Sequence, residues 1–524
     1  MTVPAVIALL PWIVLTGAVV VLMLAIAIRR SFPVAFWGTV VSLLGTLASL
    51  AWIRSDLPIA ATSLLRIDAY TWFFGILLSG SALAVACLCF AYFRKRENEN
   101  EEIFLLLLTA TLGGMTLVAS NHFAMFFLGI EILTISLFPM IAYSVRASLP
   151  LEAGIKYLVL SGLASAFLLF GMALVYGELG LLSFEQIGRL GLGLESRPLV
   201  LTGVLLILAA VGFKLSWVPF HLWTPDVYQG APAPVTAFVA TVSKSAVFAL
   251  WLRFLVDVQA DRSEILACLL GVLALASVLA GNLLALFQQD LKRILAYSSI
   301  AHMGYLLVAL VAAGRLGHQL LSETVGFYLA AYTITSIAAF GVVSALSDDT
   351  REDANVDDYQ GLFWRSPGLA TTLTVALLSL AGIPLTVGFL GKFYVFAVAV
   401  EAETWVLLGA VLVGSGIGLY YYLRVVWIML QPTEKPVPSP PLHPAAGSML
   451  ALLTGLILAL GVFPQKLIEA ATNELRPESV THNDAELATV MRRLTDMAAS
   501  MVSEVGPRSA LPAPLQPARF SPDR

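Results

Sequence analysis

The feature that most constrains this chain is the length of its apolar runs. A helix that crosses a bilayer needs about 20 consecutive apolar residues. Fourteen such runs follow one another, at 5–28, 34–53, 69–93, 103–119, 121–144, 154–177, 198–220, 234–256, 264–287, 293–313, 322–346, 367–398, 403–430 and 446–463. Of the 524 residues, 59% are apolar and 12% charged, about half the charge of a soluble domain. No soluble core of this size could enclose so much apolar side chain, so lipid must be the solvent for most of it. The sequence therefore predicts an all-α polytopic membrane protein of about 14 transmembrane helices. It excludes a soluble enzyme, a nucleic-acid binder and a disordered hub. The net charge of −4 offers no basic field to phosphate polymers.

The first run lacks the basic start and small-residue cleavage site of a signal peptide, so it reads as a retained helix. Fourteen spans put both termini on one side. Loops after odd-numbered spans carry Arg29, Arg30, Arg94, Lys95, Arg96, Arg146, Lys292, Arg293, Arg351, Arg365, Arg424 and Lys435. Loops after even-numbered spans carry Arg54, Arg66, Arg189, Arg197, Arg253, Arg262 and Arg315. The excess places odd loops in the cytoplasm and both termini outside. Lys466, Arg492 and Arg493 in the tail argue the other way.

No sequence pattern for a resident cofactor is present. Cys87, Cys89 and Cys268 form no CxxC and no Cys/His cluster, so they read as small buried hydrophobes. Neither G-x-G-x-x-G nor G-x-x-x-x-G-K-[ST] occurs. The Gly414-Ser-Gly416-Ile-Gly418 run lies in an apolar span, where small residues let helices approach closely. Any redox chemistry must sit in other chains.

A faint repeat has an offset of 171 residues. It superimposes Tyr157 on Tyr328, Ser165 on Ser336, Asn121-His122 on Lys292-Arg293 and Glu131 on His302. Two five-helix copies would be inverted in the membrane, because each holds an odd number of helices. Beyond about 464, residues 485–505 show apolar side chains at three- and four-residue steps, an amphipathic pattern. Residues 507–524 contain five prolines and read as disordered.

A few ionisable residues fall inside spans, where each costs at least about 2.5–3.5 kcal/mol at the bilayer centre. They are Glu131, Lys156, Lys214, Lys244 and Lys392, joined by His221 and His302. Three readings compete. Lysines near helix ends can snorkel to the headgroups, which suits Lys156 better than Lys214, Lys244 or Lys392. Glu and Lys can form static packing pairs. The third reading is a proton path: a buried ammonium is costly, a nearby carboxylate supports it, and a lysine whose partner comes and goes can load and release a proton. For either histidine alone, an ordinary core role stands equally open. Span 7 is interrupted by Pro219, and Pro225, Pro232 and Pro234 follow; span 12 is interrupted around Gly382 and Pro384. Broken helices beside ionisable residues are the usual pointer to an ion path, although each break alone also fits a packing kink.

The stretch GFKLSWVPFHLWTPDVYQGAPAP at 212–234 resembles the antiporter-like membrane subunits of respiratory complex I, NADH–quinone oxidoreductase, and within them the bacterial subunit N family. Glu131 in GIE, Lys156 in IKY, the KRILAYSS run at 292–299, SLAGIP at 379–384, GFLGKFY at 388–394 and GLYYYLR at 418–424 support it. The resemblance covers about residues 1–465. It implies two inverted five-helix repeats and broken helices 7 and 12. The corresponding segments are three N-terminal helices (1–102), a first repeat (103–256), a second repeat (264–430), a last span (446–464) and an extension (465–524) to which no role transfers.

By the same resemblance, Glu131 and Lys214 form the modulating pair of the first repeat. Lys244 passes protons between repeats, and Lys392 serves the second repeat and the outer exit. Lys156 and His221 lie on the same axis, with Lys292 near the cytoplasmic side. The family also implies partner subunits that hold FMN and iron–sulfur clusters and meet NADH and quinone, a bacterial inner-membrane location, and no cofactor in this chain. Two rivals remain at this stage: a subunit of a multisubunit Na+/H+ antiporter or membrane-bound hydrogenase, and a passive spacer whose charges are fixed pairs.

Overall fold

The computed structural model describes residues 3–54, 57, 62–94, 100–143, 148–260, 263–347, 355–432, 442–465 and 467. The amphipathic pattern at 485–505, the proline-rich stretch, and Lys95, Arg96, Arg146, Arg262, Arg351, Lys435, Lys466, Arg492 and Arg493 lie outside them.

The described chain is helical, and among the described residues only three isolated β-bridges occur. In order, the long helices are α1 (Leu10–Ile28), α2 (Phe32–Ile53), α3 (Ala69–Phe93), α4 (Glu102–Ala119), α5 (Phe123–Ile141), α6 (Ser148–Leu179) and α7 (Pro198–Leu215). A short helix, α8 (Trp223–Gly230), precedes α9 (Ala233–Asp257), α10 (Glu264–Leu286), α11 (Leu291–Leu316) and α12 (His318–Leu346). The rest are α13 (Pro367–Ala381), α14 (Val387–Glu401), α15 (Trp405–Leu430) and α16 (Pro444–Val462). Thirteen of these are long and apolar enough to cross a membrane. The pair α13–α14 occupies the twelfth run of the sequence, so the fourteen runs survive with one of them split.

Helix starts follow the polar punctuation of the sequence. Asp68 accepts from the Thr71 N–H, Asp290 from the Arg293 N–H and His122 Nδ1 from the Ala124 N–H, each satisfying an orphan donor of the first turn. The two proline-rich breaks fall near their expected places. α7 stops at Leu215, five residues earlier than the apolar run suggests, because Ser216 adopts a left-handed conformation (φ 62°). α13 stops at Ala381, where Gly382 does the same at φ 86°.

Burial separates centre from rim. The most hydropathic stretch of α9 is wholly buried and those of α11 and α12 are 94% buried, against 22% for α1 and 28% for α16. The rim helices present Val21, Val41, Ile135 and Val159 outward, tolerable only against lipid or another apolar chain. Gly414 shows why the glycine run of α15 is needed: a Cβ there would lie 2.6 Å from Val278 Cγ1 and 2.9 Å from the Tyr305 hydroxyl. The cysteine reading needs one correction. Cys89 is buried and Cys87 half-buried, but Cys268 is exposed, because α10 turns that side outward, where an apolar thiol needs no protein cover.

Candidate functional site

The first cluster is built by α5, α6 and α7. Ser165 Oγ donates to Glu131 Oε1 at 2.5 Å. Three residues along α5, Thr134 Oγ1 accepts from Lys214 Nζ at 2.5 Å, and the Tyr157 hydroxyl lies 3.3 Å from the same nitrogen. Among the described residues no ion pair joins Glu131 to Lys214. Lys214 sits in the last turn of α7, where the negative end of the helix dipole favours a cation. Beyond the break, Thr224 Oγ1 donates to Ser216 Oγ at 2.6 Å and Trp223 Nε1 to the Phe213 carbonyl at 2.9 Å, fixing α8 against the end of α7. His221 lies in this turn, buried, and its Nδ1 has no hydrogen-bond partner among the described residues.

The middle position belongs to Lys244. One wide π-type turn, Val239–Ser243, immediately precedes it. Such turns shift the register of the side chains that follow and recur at functional sites. Lys244 Nζ donates to Ser299 Oγ of α11 at 2.8 Å, and the Tyr332 hydroxyl of α12 donates to the same oxygen at 2.6 Å.

The second cluster joins α11, α12, α14 and α15. His302 Nδ1 pairs with the Tyr328 hydroxyl at 2.8 Å, while its Nε2 lies 3.5 Å from the Tyr422 hydroxyl; Tyr422 is bonded in turn to Ser298. Lys392 Nζ donates to the Ala381 carbonyl at 2.9 Å and stands 5.2 Å from the centre of the Tyr305 ring. The lysine therefore caps the carbonyl end of α13 from across the break, the favoured place for a cation. Between the histidine and the break, His302, Tyr328, Tyr332, Thr335 and Ser379 surround a space of about 10 Å3, near the minimum one water needs.

Two charged clusters at opposite ends of the helices bring together partners that the sequence reading does not pair, although it names Lys156 and Lys292. At the end where α6 and α11 begin, Lys156 Nζ is 2.7 Å from both Glu152 and Asp226. Asp226 also accepts from Arg293 at 2.9 Å, and Gln229 links Arg293 to Asp290. Lys292, fully buried beside them, donates to the Ala231 carbonyl at 2.6 Å. At the other end, Arg253 holds Asp68 at 2.7 Å, and Arg66 holds Asp257 at 3.0 Å. Burial alone would raise the Asp68 pKa, but the charge and hydrogen bond of Arg253, with Arg66 behind them, keep it below the ordinary 3.8. Glu323, on α12, is a further buried carboxylate.

The eight residues singled out by sequence thus fall into separate places, with His302 in the second cluster beside Tyr328. Lys214, Lys244 and Lys392 are buried, each held by neutral oxygens. Glu131 neighbours Lys214 through Thr134. Lys156 and Lys292 belong to the charged end cluster, and His221 to the first break. Among the described residues no three His, Cys, Asp or Glu side chains gather as a metal site.

The family model described as NADH:quinone oxidoreductase/Mrp antiporter, transmembrane, matches residues 120–418. The NADH-quinone oxidoreductase subunit N of Methylococcus capsulatus (strain ATCC 33009 / NCIMB 11132 / Bath) is 66% identical over 477 residues, covering 91% of this chain and 97% of that protein. The chain belongs to this family, in its subunit N branch. A chain of Thermus thermophilus respiratory complex I, solved with bound aureothin, is 34% identical with a TM-score of 0.77, covering 88% of this chain and 99% of its own. A chain of an archaeal membrane-bound sulfane sulfur reductase has a TM-score of 0.78 at 24% identity, covering 95% of this chain and all of its own. At that identity the likeness speaks for the antiporter-like fold alone.

Proposed function

We propose that this chain is a proton-translocating membrane subunit of an NADH:quinone oxidoreductase. Protons move through its buried lysines, hydroxyls and histidine, coupled to NADH oxidation and quinone reduction in other subunits of the complex. FMN and iron–sulfur clusters reside in those partners. The observation that carries the reading is the set Lys214, Lys244 and Lys392, three buried lysine side chains whose terminal nitrogens each rest on a hydroxyl or carbonyl. A fixed structural charge is normally paired with an opposite one when buried. These lysines are instead held by neutral groups, an arrangement in which gaining and losing a proton leaves the partners intact.

Glu131, through Thr134, modulates Lys214. Lys244, joined to Ser299 and Tyr332, links two inverted repeats at 103–256 and 264–430. Lys392 and His302 serve the second repeat, Lys156 and His221 lie on the same axis, and Lys292 lies near the cytoplasmic side. The repeat is supported by paired local features. Bridges His122–Ser183 and Asp290–Asn355 sit just before α5 and α11 and just after α6 and α12. Left-handed residues, Ser216 and Gly382, end the first halves of both broken helices. The loop charges support an inner-membrane placement with both termini periplasmic.

The test is purification from native membranes in mild detergent, followed by reconstitution into vesicles. Co-purification with NADH-oxidising subunits carrying FMN and iron–sulfur clusters, and NADH-driven proton uptake that falls when the three lysines are neutralised, is the expected result. Recovery with antiporter subunits only, or full pumping without the lysines, overturns it.

A further inference from the structure

A groove of about 1080 Å3 opens between α10, α11 and α15. Its mouth is formed where the connections after α9, α11 and α14 emerge, with Ser263, Gly317, Glu403 and Thr404 the described connection residues that line it. These connections follow the eighth, tenth and twelfth spans, so they share one membrane face. The mouth carries Arg315, Glu264 and Glu403, all exposed. Among the described residues none of the three has an ion-pair or side-chain hydrogen-bond partner. Trp405, 60% exposed beside the mouth, is an amphipathic ring of the kind enriched at membrane–water interfaces. Below it the lining turns apolar and small, through Cys268, Gly271 and Leu407. At Gly271 an added Cβ would meet only Leu407 Cδ1 at 3.9 Å, so the floor is open to a chain-like guest.

We infer that this groove seats a phospholipid with a primary ammonium headgroup, of the phosphatidylethanolamine class. The charges select it. A guanidinium binds a phosphate diester through parallel N–H donors. Among the described residues a purely anionic headgroup would meet two carboxylates and one cation, a net repulsion. A headgroup that carries its own ammonium turns both carboxylates into acceptors, and a primary ammonium has N–H donors that a choline headgroup lacks. The apolar slot below then takes the first part of an acyl chain, removing it from competition with bulk lipid.

The experiment uses the intact complex containing this chain, delipidated in mild detergent. It is exposed in parallel to phosphatidylethanolamine, phosphatidylcholine and phosphatidylglycerol, each with a photoactivatable diazirine high in one acyl chain, and the labelled peptides are mapped. Phosphatidylethanolamine labels the segments around 267–271 and 405–407 about tenfold more than phosphatidylglycerol, the ratio for one charge-assisted hydrogen bond of roughly 1.4 kcal/mol. Phosphatidylcholine falls between them. Arg315→Gln, an exposed change that leaves the helix packing alone, lowers the ethanolamine labelling by a similar factor. Equal labelling by phosphatidylglycerol overturns the assignment of the carboxylates. Absence of label from both segments overturns the site, because a neighbouring subunit then covers the groove.

Discussion

Lys214 donates to Thr134 at 2.5 Å instead of pairing with Glu131, whose carboxylate takes the Ser165 hydroxyl at 2.5 Å. Glu131 and Thr134, the hydroxyl that seats Lys214, are thus one helical turn apart on α5, and acid and base are each occupied by a hydroxyl. A small shift of α7 along α5 would exchange the neutral contact for an ionic one, which is what a carboxylate that tunes a lysine requires.

Neutralising that carboxylate removes the alternative. Glu131→Gln is expected to slow NADH–quinone turnover and proton uptake together by about tenfold, the effect of roughly 1.4 kcal/mol on the limiting step. Thr134→Val leaves Lys214 only Tyr157 at 3.3 Å, and its loss should be smaller. Paired assays of NADH oxidation and proton uptake in reconstituted vesicles check both. An assembled Glu131→Gln complex with normal pumping would take Glu131 off the path.

Lys392 offers a test that keeps its charge. Gly382 needs its left-handed φ, and a Cβ there would lie 2.8 Å from Lys392 Cδ. Gly382→Ala is therefore expected to displace the ammonium from the Ala381 carbonyl and to lower pumping nearly as far as Lys392→Ala does. Proton uptake per NADH is the quantity to compare. A Gly382→Ala complex that pumps normally would show that Lys392 works without its seat on α13.

What could be read in advance follows from contrast with surroundings. Lys214, Lys244 and Lys392 stand out because each interrupts an apolar run, and the breaks stand out because proline and glycine cannot continue a helix. The partners do not stand out. Thr134, Ser299 and the Ala381 carbonyl are ordinary in an apolar helix, and only packing makes them ligands. Asp68 and Arg253 are separated by 185 positions, so their pairing has no local signature. The π-type turn before Lys244 has no composition of its own. Cys268 was misplaced because apolarity predicts burial from water, which lipid supplies as well as protein does.

The Asp68–Arg253 pair makes a prediction about pH. Asp68 titrates below its ordinary 3.8 in the folded chain, so its contribution is complete above that value and fades as pH falls through the depressed one. Asp68→Asn leaves Arg253, 4% exposed, without its carboxylate, a loss of about 3–5 kcal/mol for breaking a buried pair. Thermal unfolding in detergent should show a large gap between the two proteins at pH 7. The gap should narrow as the pH drops below about 4. A gap that stays constant into acid would mean that Arg253 is compensated elsewhere.

Asp226 is the carboxylate that joins the two halves at the opposite end, taking Lys156 from α6 and Arg293 from α11. Lys156 and Asp226 are about 40% exposed, so water and salt weaken the pair and its direct stabilisation is small. Its consequence should be seen in turnover instead. With Asp226→Asn, Lys156 keeps only Glu152, Arg293 keeps Gln229 and Gln288, and the two helices lose their common anchor. Turnover should fall by about two- to threefold at low salt, matching the few tenths of a kcal/mol of an exposed pair. Because the contact is partly in water, raising salt should screen it in the parent protein and bring the two rates together. A rate difference independent of ionic strength would mean that the Asp226 carboxylate acts as a proton carrier and not as an ionic link, because transfer of a proton to it does not depend on screening of the pair.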